Sequence, residues 1–178
     1  MNWYRIVEHF FYPNRFEHAV KIVLSHEGGY SNDKNDKGGE TNFGISQKFL
    51  DENKLNYIVK NITVDLAKSI YEKYFWNQYR YYELKSLQVA TKVFDCSVNC
   101  GAYEAALILQ RAINNISIDK IASDGILGDC TFRMANKCND NRLLDNIRFE
   151  MKRFYLNLIN EHPQYISFKS GWLSRAAS

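Results

Sequence analysis

The sequence predicts a mainly α fold with one irregular acidic loop set among its helices. Three observations carry that expectation. Apolar residues recur at helical spacing along most of the chain. Five of the nine glycines fall between Gly28 and Gly44, so the loop chemistry is concentrated in one place. No internal repeat or low-complexity linker interrupts the pattern. With 178 residues, 46% apolar and 24% charged, the chain can bury one good core, or a compact domain with a smaller appendage.

Each element has its own signal. Phe16, Ala19, Val20, Val23 and Leu24 mark a first helix; Glu27 is next on that stripe, and Gly28 and Gly29 follow at once as a stop. A loop with a short strand is expected to about Ser46. "TVDLAKSIYEKYFWNQY" reads as one helix, with Thr63 as N-cap and Leu66, Ile70, Tyr71, Tyr74 and Phe75 on its apolar face. Trp76 and Tyr79 are expected in the core of that helix. A helix after Ser86 carries Leu87, Ala90, Val93, Phe94 and Val98 and ends at Gly101. The next, over about 102–114, uses Tyr103, Ala106, Leu107, Gln110 and Ile113. "SDGILGDCTF" is a glycine-bearing turn before a short helix, with Asp129 as its expected cap. A long helix over about 140–161 presents Leu144, Ile147, Met151, Phe154, Tyr155 and Leu158 until Pro163 stops it.

Composition narrows the function classes. The net charge of +3 is spread along the chain without a run of Lys or Arg, so no nucleic-acid partner is expected. A mild positive balance suits an anionic polymer. The longest wholly apolar run is "AALIL" at 105–109, so no membrane span is expected. The N-terminus has no continuous apolar region and no small-residue cleavage site, so no classical signal peptide is expected. The four cysteines, Cys96, Cys100, Cys130 and Cys138, read as reduced thiols, with a disulfide formed after export as the open alternative. No Cys-x-x-Cys pair or neighbouring histidine supports zinc, and neither a metal nor a cofactor is expected.

The stretch "HEGGYSNDKNDKGGETNFGI" at 26–45 holds the chemistry. Glu27 stands on an apolar stripe and at a helix C-terminus. Desolvation and the helix dipole both disfavour an ionised carboxylate there, so Glu27 is expected to keep its proton as a general acid must. Asp33 and Asp36 stand in a polar loop that keeps carboxylates charged. Carboxyls in unlike environments match the acid and base roles of glycoside cleavage. The plainer alternative makes Glu27 the first exposed residue after its helix. A calcium loop is a further alternative, but the bidentate glutamate of an EF-hand is missing. Tyr30, Asn42, Phe43 and Gln47 flank the loop and either line a sugar cleft or pack the loop. Asp95 and Asn99 lie one helical turn apart, with a buried hydrogen-bonding role or a substrate contact both open for Asn99.

That stretch resembles the signature of glycoside hydrolase family 108, whose motif runs roughly E-G-G-Y-x-N-D-P-x-D-x-G-G-x-T-x-x-G-I. The similarity continues through "IYEKYFW", "KVFDCSVNCGAYEAALILQRAIN", "SDGILGD" and the terminal "GWLSR", and so covers about 19–175. Lys34 and Lys37 stand where prolines are common, which bears on loop rigidity and not on the acid. The resemblance implies a lysozyme-like helical fold with an irregular catalytic loop or short β-hairpin. It implies an N-terminal extension over 1–18, a muramidase catalytic region over 19–107 and a helical peptidoglycan-binding region over 108–178.

Glu27, Asp36 and Thr41 are separated by nine and then five residues, a spacing similar to the Glu, Asp and Thr of T-even-type phage lysozymes. The resemblance implies Glu27 as proton donor to the leaving glycosidic oxygen. Asp36 would stabilise the oxocarbenium-like transition state or hold the attacking water, and Thr41 would orient that water. Asp33 is the rival second carboxylate. In the family the helix bearing Asn99 packs near the cleft, which implies a substrate contact there. The implied substrate is the β-1,4 bond between N-acetylmuramic acid and N-acetylglucosamine in peptidoglycan glycan strands. The implied setting is the periplasm or cell wall, with a monomer reaching it through a holin or export machinery, for toxin or protein secretion or for phage release. The competing expectation is a non-catalytic peptidoglycan-binding or secretion-accessory protein.

Overall fold

The computed structural model describes residues 15–31 and 40–178. The chain divides into two compact units, the first ending at Tyr82 and the second spanning Glu83–Ser178. Both are built mainly from helices, as the apolar periodicity predicts.

In the first unit, helix α1 (Arg15–His26) buries Ala19, Val20 and Val23 completely. The amide of Glu27 still donates to the Val23 carbonyl at 3.1 Å, so the last turn of α1 carries the acid. Strands β1 (Thr41–Asn42) and β2 (Ile45–Ser46) form an antiparallel hairpin that pairs Thr41 with Ser46 and Asn42 with Ile45. Phe43 and Gly44 make its two-residue turn, both left-handed at φ 51° and 74°. This is the geometry that matches the twist of paired strands. Of the irregular loop and the short hairpin, the described residues form the hairpin.

Helix α2 (Gln47–Glu52) follows directly, with Ser46 Oγ accepting from the Phe49 amide at 3.1 Å. Periodicity does not reveal it, because six residues hold too few turns for an apolar stripe to repeat. A 3₁₀ turn over Val59–Asn61 leads into helix α3 (Val64–Tyr71), where Thr63 Oγ1 accepts from the Leu66 amide at 3.2 Å. The single helix expected from 63 to 79 runs unbroken from Val64 to Asn77 but changes from α to π winding at Glu72. A π-helical turn over Glu72–Asn77 follows α3, and such an insertion shifts the apolar face. Trp76 is therefore buried, while Tyr74 and Phe75 are half-buried.

In the second unit, helix α4 (Leu87–Cys100) is buried on every side from Val89 to Ser97 and packs on α5 (Ala102–Ile116) and α7 (Asp140–Glu161). Ser86 caps α4 at one end, and Gly101 ends it at φ 88°. A short helix α6 (Asp129–Ala135) comes between α5 and α7. Its N-cap is Gly128, so Asp129 is the first helical residue and not the cap. Pro163 opens a 3₁₀ segment to Phe168, and α8 (Lys169–Ala177) closes the chain against α7.

Two sequence motifs of this unit are structural. In "SDGILGD", the amide of buried Gln110 donates to Asp124 Oδ1 at 2.7 Å and to the Ile126 carbonyl at 3.0 Å, and its oxygen accepts from the Gly125 amide at 3.0 Å. The Gln110 amide and then the Ile126 backbone hold the Asp124 carboxyl below its usual range. In "GWLSR", Trp172 stacks between Tyr155 and Phe168 at centroid distances of 5.3 and 5.5 Å. Arg175 forms a buried two-point pair with Asp95, Nη2 to Oδ1 at 2.9 Å and Nε to Oδ2 at 3.2 Å. Lys92 Nζ donates to the Arg175 carbonyl; burial pulls the Lys92 pKa down against the pull of Asp95.

Candidate active site

The first unit gathers its candidate residues around the end of α1. Glu27 leaves the helix half-buried, and its carboxyl lies against the Phe43–Gly44 turn. A Cβ on Gly44 would stand 2.7 Å from Glu27 Cδ and 2.8 Å from Tyr71 Oη. A side chain there would have to displace the Glu27 carboxyl and the Tyr71 hydroxyl, and the left-handed backbone independently favours glycine. Tyr71 fixes the other side of the turn, donating from its hydroxyl to the Phe43 carbonyl at 2.7 Å. Phe43 is held in a left-handed conformation that bulky residues rarely adopt. Such local strain persists only where its surroundings over-determine it. Helix end, turn and Tyr71 hydroxyl thus form one buttress for the Glu27 carboxyl.

Beside this buttress, Ser31 and Thr41 exchange both backbone hydrogen bonds, at 2.8 and 2.9 Å. That bridge closes the neck of the acidic stretch and sets Thr41 at the start of β1. Asp33 and Asp36, together with Lys34 and Lys37, lie outside the described residues.

The flanking candidates separate by role. Tyr30 is exposed, with the Lys60 ammonium 5.9 Å from its ring centroid, and it offers an aromatic surface beside Gly28–Gly29. Phe43 is half-buried. Asn42 is buried, and its amide donates to the carbonyls of Val59 and Ile62 at 3.2 and 3.3 Å. Gln47 donates to Asp51 Oδ1 at 2.9 Å and to the Tyr57 carbonyl at 3.1 Å, and accepts from the Val59 amide at 2.9 Å. For Asn42 and Gln47 the packing alternative is the one this geometry supports: they lace the hairpin to the segment before α3.

Asn99 belongs to the second unit and accepts from the Tyr155 hydroxyl at 2.7 Å. Burial pushes the Tyr155 phenol up, so it stays a donor. Asp95 serves the Arg175 pair described above. The Cys96 and Cys100 sulfurs lie 3.3 Å apart as free thiols. Contact with Cys100, and then burial, push the Cys96 thiol well above its usual range, which makes it a poor nucleophile. Among the described residues no cluster of His, Cys, Asp and Glu is arranged to hold a metal.

Sequence reasoning misses the part played by Tyr71. Its helical spacing marks it as apolar face, and the carbonyl it reaches lies 28 residues upstream. Gly44 is visible as part of the motif, but its contact with Glu27 is not.

Comparisons with known proteins extend this picture. A family model described as "Glycosyl hydrolase 108" matches residues 20–101. A second, described as "Predicted Peptidoglycan domain", matches residues 104–177. The two matches meet after α4, whereas the compact units divide before it. Among solved structures, the chain is similar to that of SagA from Brucella abortus, with 25% identity and a TM-score of 0.77 over 93% of this chain and 91% of that one. No curated protein matches.

Proposed function

We propose that the chain is an N-acetylmuramidase, because residues 20–101 match the glycosyl hydrolase 108 family and residues 104–177 a peptidoglycan domain. The two matches support a glycosidase acting on peptidoglycan, and the fold is mainly α and lysozyme-like. The finer reading is that it cleaves the β-1,4 bond between N-acetylmuramic acid and N-acetylglucosamine. The observation that carries this reading is the Glu27 carboxyl at a helix end, lying against the Gly44 turn that the Tyr71 hydroxyl braces.

Glu27 gives its proton to the glycosidic oxygen as the bond to the anomeric carbon breaks. Asp36 supports the oxocarbenium-like centre or holds the attacking water, with Asp33 as its rival, and Thr41 orients that water. The Ser31–Thr41 bridge supports this arrangement by fixing where the acidic stretch leaves and returns. Inversion is the expected course, which needs carboxyls about 6.5–9.5 Å apart to admit water. Tyr30 offers a face on which a sugar ring stacks.

The proposed organisation is an N-terminal extension over 1–18, a catalytic region over 19–107 and a peptidoglycan-binding region over 108–178. The proposed setting is the periplasm or cell wall, where a monomer delivered by a holin or another exporter opens the wall for secretion or phage release. No helix among the described residues is long and apolar enough to cross a membrane.

The test is to digest purified peptidoglycan, reduce the products with borohydride and identify the reduced sugar by mass spectrometry. N-acetylmuramitol is expected at every new end. N-acetylglucosaminitol would make the protein a glucosaminidase, and no new ends at all would leave a binding protein.

A further inference from the structure

Between α5 and α7 the second unit opens a groove of about 540 Å³. Glu104 and Arg111 line one side, and Arg153, Phe154, Asn157 and Glu161 the other. Its charges are balanced and come from both helices. Arg111 Nη1 lies 3.1 Å from Glu104 Oε1, with both side chains partly exposed.

Next to this groove, one helical turn before Arg153 on α7, stands a buried carboxylate. The Glu150 side chain is only 1% exposed, and its Oε1 accepts from the Asn115 amide at 2.8 Å. Its Oε2 lies 2.7 Å from Arg153 Nη2, an ion pair without an aligned hydrogen bond. Taking a carboxylate out of water is costly, and apolar packing would serve stability as well. What the buried carboxylate does here is anchor Arg153, whose side chain is 49% exposed and faces the groove. The ion pair holds one end of the guanidinium in place while about half of the side chain stays open to solvent in the groove. Pre-organised arginine is the group best suited to bind a carboxylate at two points.

We infer that this groove holds the peptide stem of peptidoglycan, a short peptide carrying free carboxylates and an amino group. Arg153 and Arg111 engage the carboxylates, and Glu161 and Glu104 the ammonium. The glycan itself carries few free charges and would call for aromatic faces and neutral hydrogen-bonding groups, of which the groove offers Phe154 and Asn157. The inference rests on the reading that this chain acts on peptidoglycan, and it assigns the second unit a part of that polymer distinct from the bond that is cut.

The test uses the full chain and two soluble probes: a sugar-free stem tetrapeptide containing diaminopimelate, and a peptide-free chito-oligosaccharide. Calorimetric titration is expected to show the tetrapeptide binding to wild type and at least tenfold more weakly to Arg153→Gln and to Arg111→Gln. Glu161→Gln, at an exposed position, is expected to weaken the free-amine peptide but not one whose side-chain amine is acetylated. Equal binding of the tetrapeptide to wild type and both arginine variants would overturn the inference. So would a wild type that binds only the oligosaccharide. Release of reducing ends from whole peptidoglycan, measured beside these titrations, separates the two readings. Its absence would defeat the muramidase assignment while leaving peptide binding to be judged by the titrations.

Discussion

The carboxyl of Glu27 occupies the space into which a side chain at Gly44 would have to grow. The acid and the hairpin turn are therefore a single device, although they stand at opposite ends of the motif. Gly44→Ala is expected to push the carboxyl aside and to slow peptidoglycan cleavage at least tenfold. Overpacking and the left-handed backbone should together lower stability by about 1–3 kcal/mol. Reducing-end assays and urea melts on the same preparation check both outcomes.

Tyr71 supports the turn from behind through its hydrogen bond to the Phe43 carbonyl. Tyr71→Phe keeps the ring and removes the donor, so the expected loss of stability is about 1 kcal/mol. If the turn positions Glu27, kcat should fall more than KM rises. A fall in stability with unchanged kcat would make Tyr71 a packing residue only.

Asp36→Asn and Asp33→Asn distinguish the two loop carboxylates. Residual cleavage rates should differ at least tenfold, with Asp36→Asn the slower. The reverse order would give the second role to Asp33.

Much of the fold is legible in the sequence. Helix α7 shows its bounds through 22 residues of periodic apolar spacing and a following proline, and α4 through a serine cap and a closing glycine. Signals that span several turns survive because burial enforces them at every turn. The π-helical turn at Glu72–Asn77 is not legible, since one extra residue per turn leaves no mark in composition. Glu27 is legible as an acid on an apolar stripe before two glycines. The buttress around it is not, because contacts of Gly44 and Tyr71 with distant residues obey no local period. Asn42 and Gln47 read equally well as sugar ligands or as lacing, and only their carbonyl partners favour lacing.

The pair of Asp95 and Arg175 explains why the terminal "GWLSR" belongs to the fold. Both side chains are buried and bonded at two points. Arg175→Met alone strands a buried carboxylate and should cost about 3–5 kcal/mol. Adding Asp95→Leu should restore most of that loss, which denaturant melts of the single and double variants would measure.

The central claim is that Glu27 supplies the proton for glycosidic cleavage, and Glu27→Gln tests it most directly. The amide keeps the size and position of the carboxyl but has no proton to give. On purified peptidoglycan, with folding verified by circular dichroism, wild type should release reducing ends and Glu27→Gln should fall at least a hundredfold, within the range general acid catalysis supplies. A variant that cleaves as fast as wild type would contradict the account.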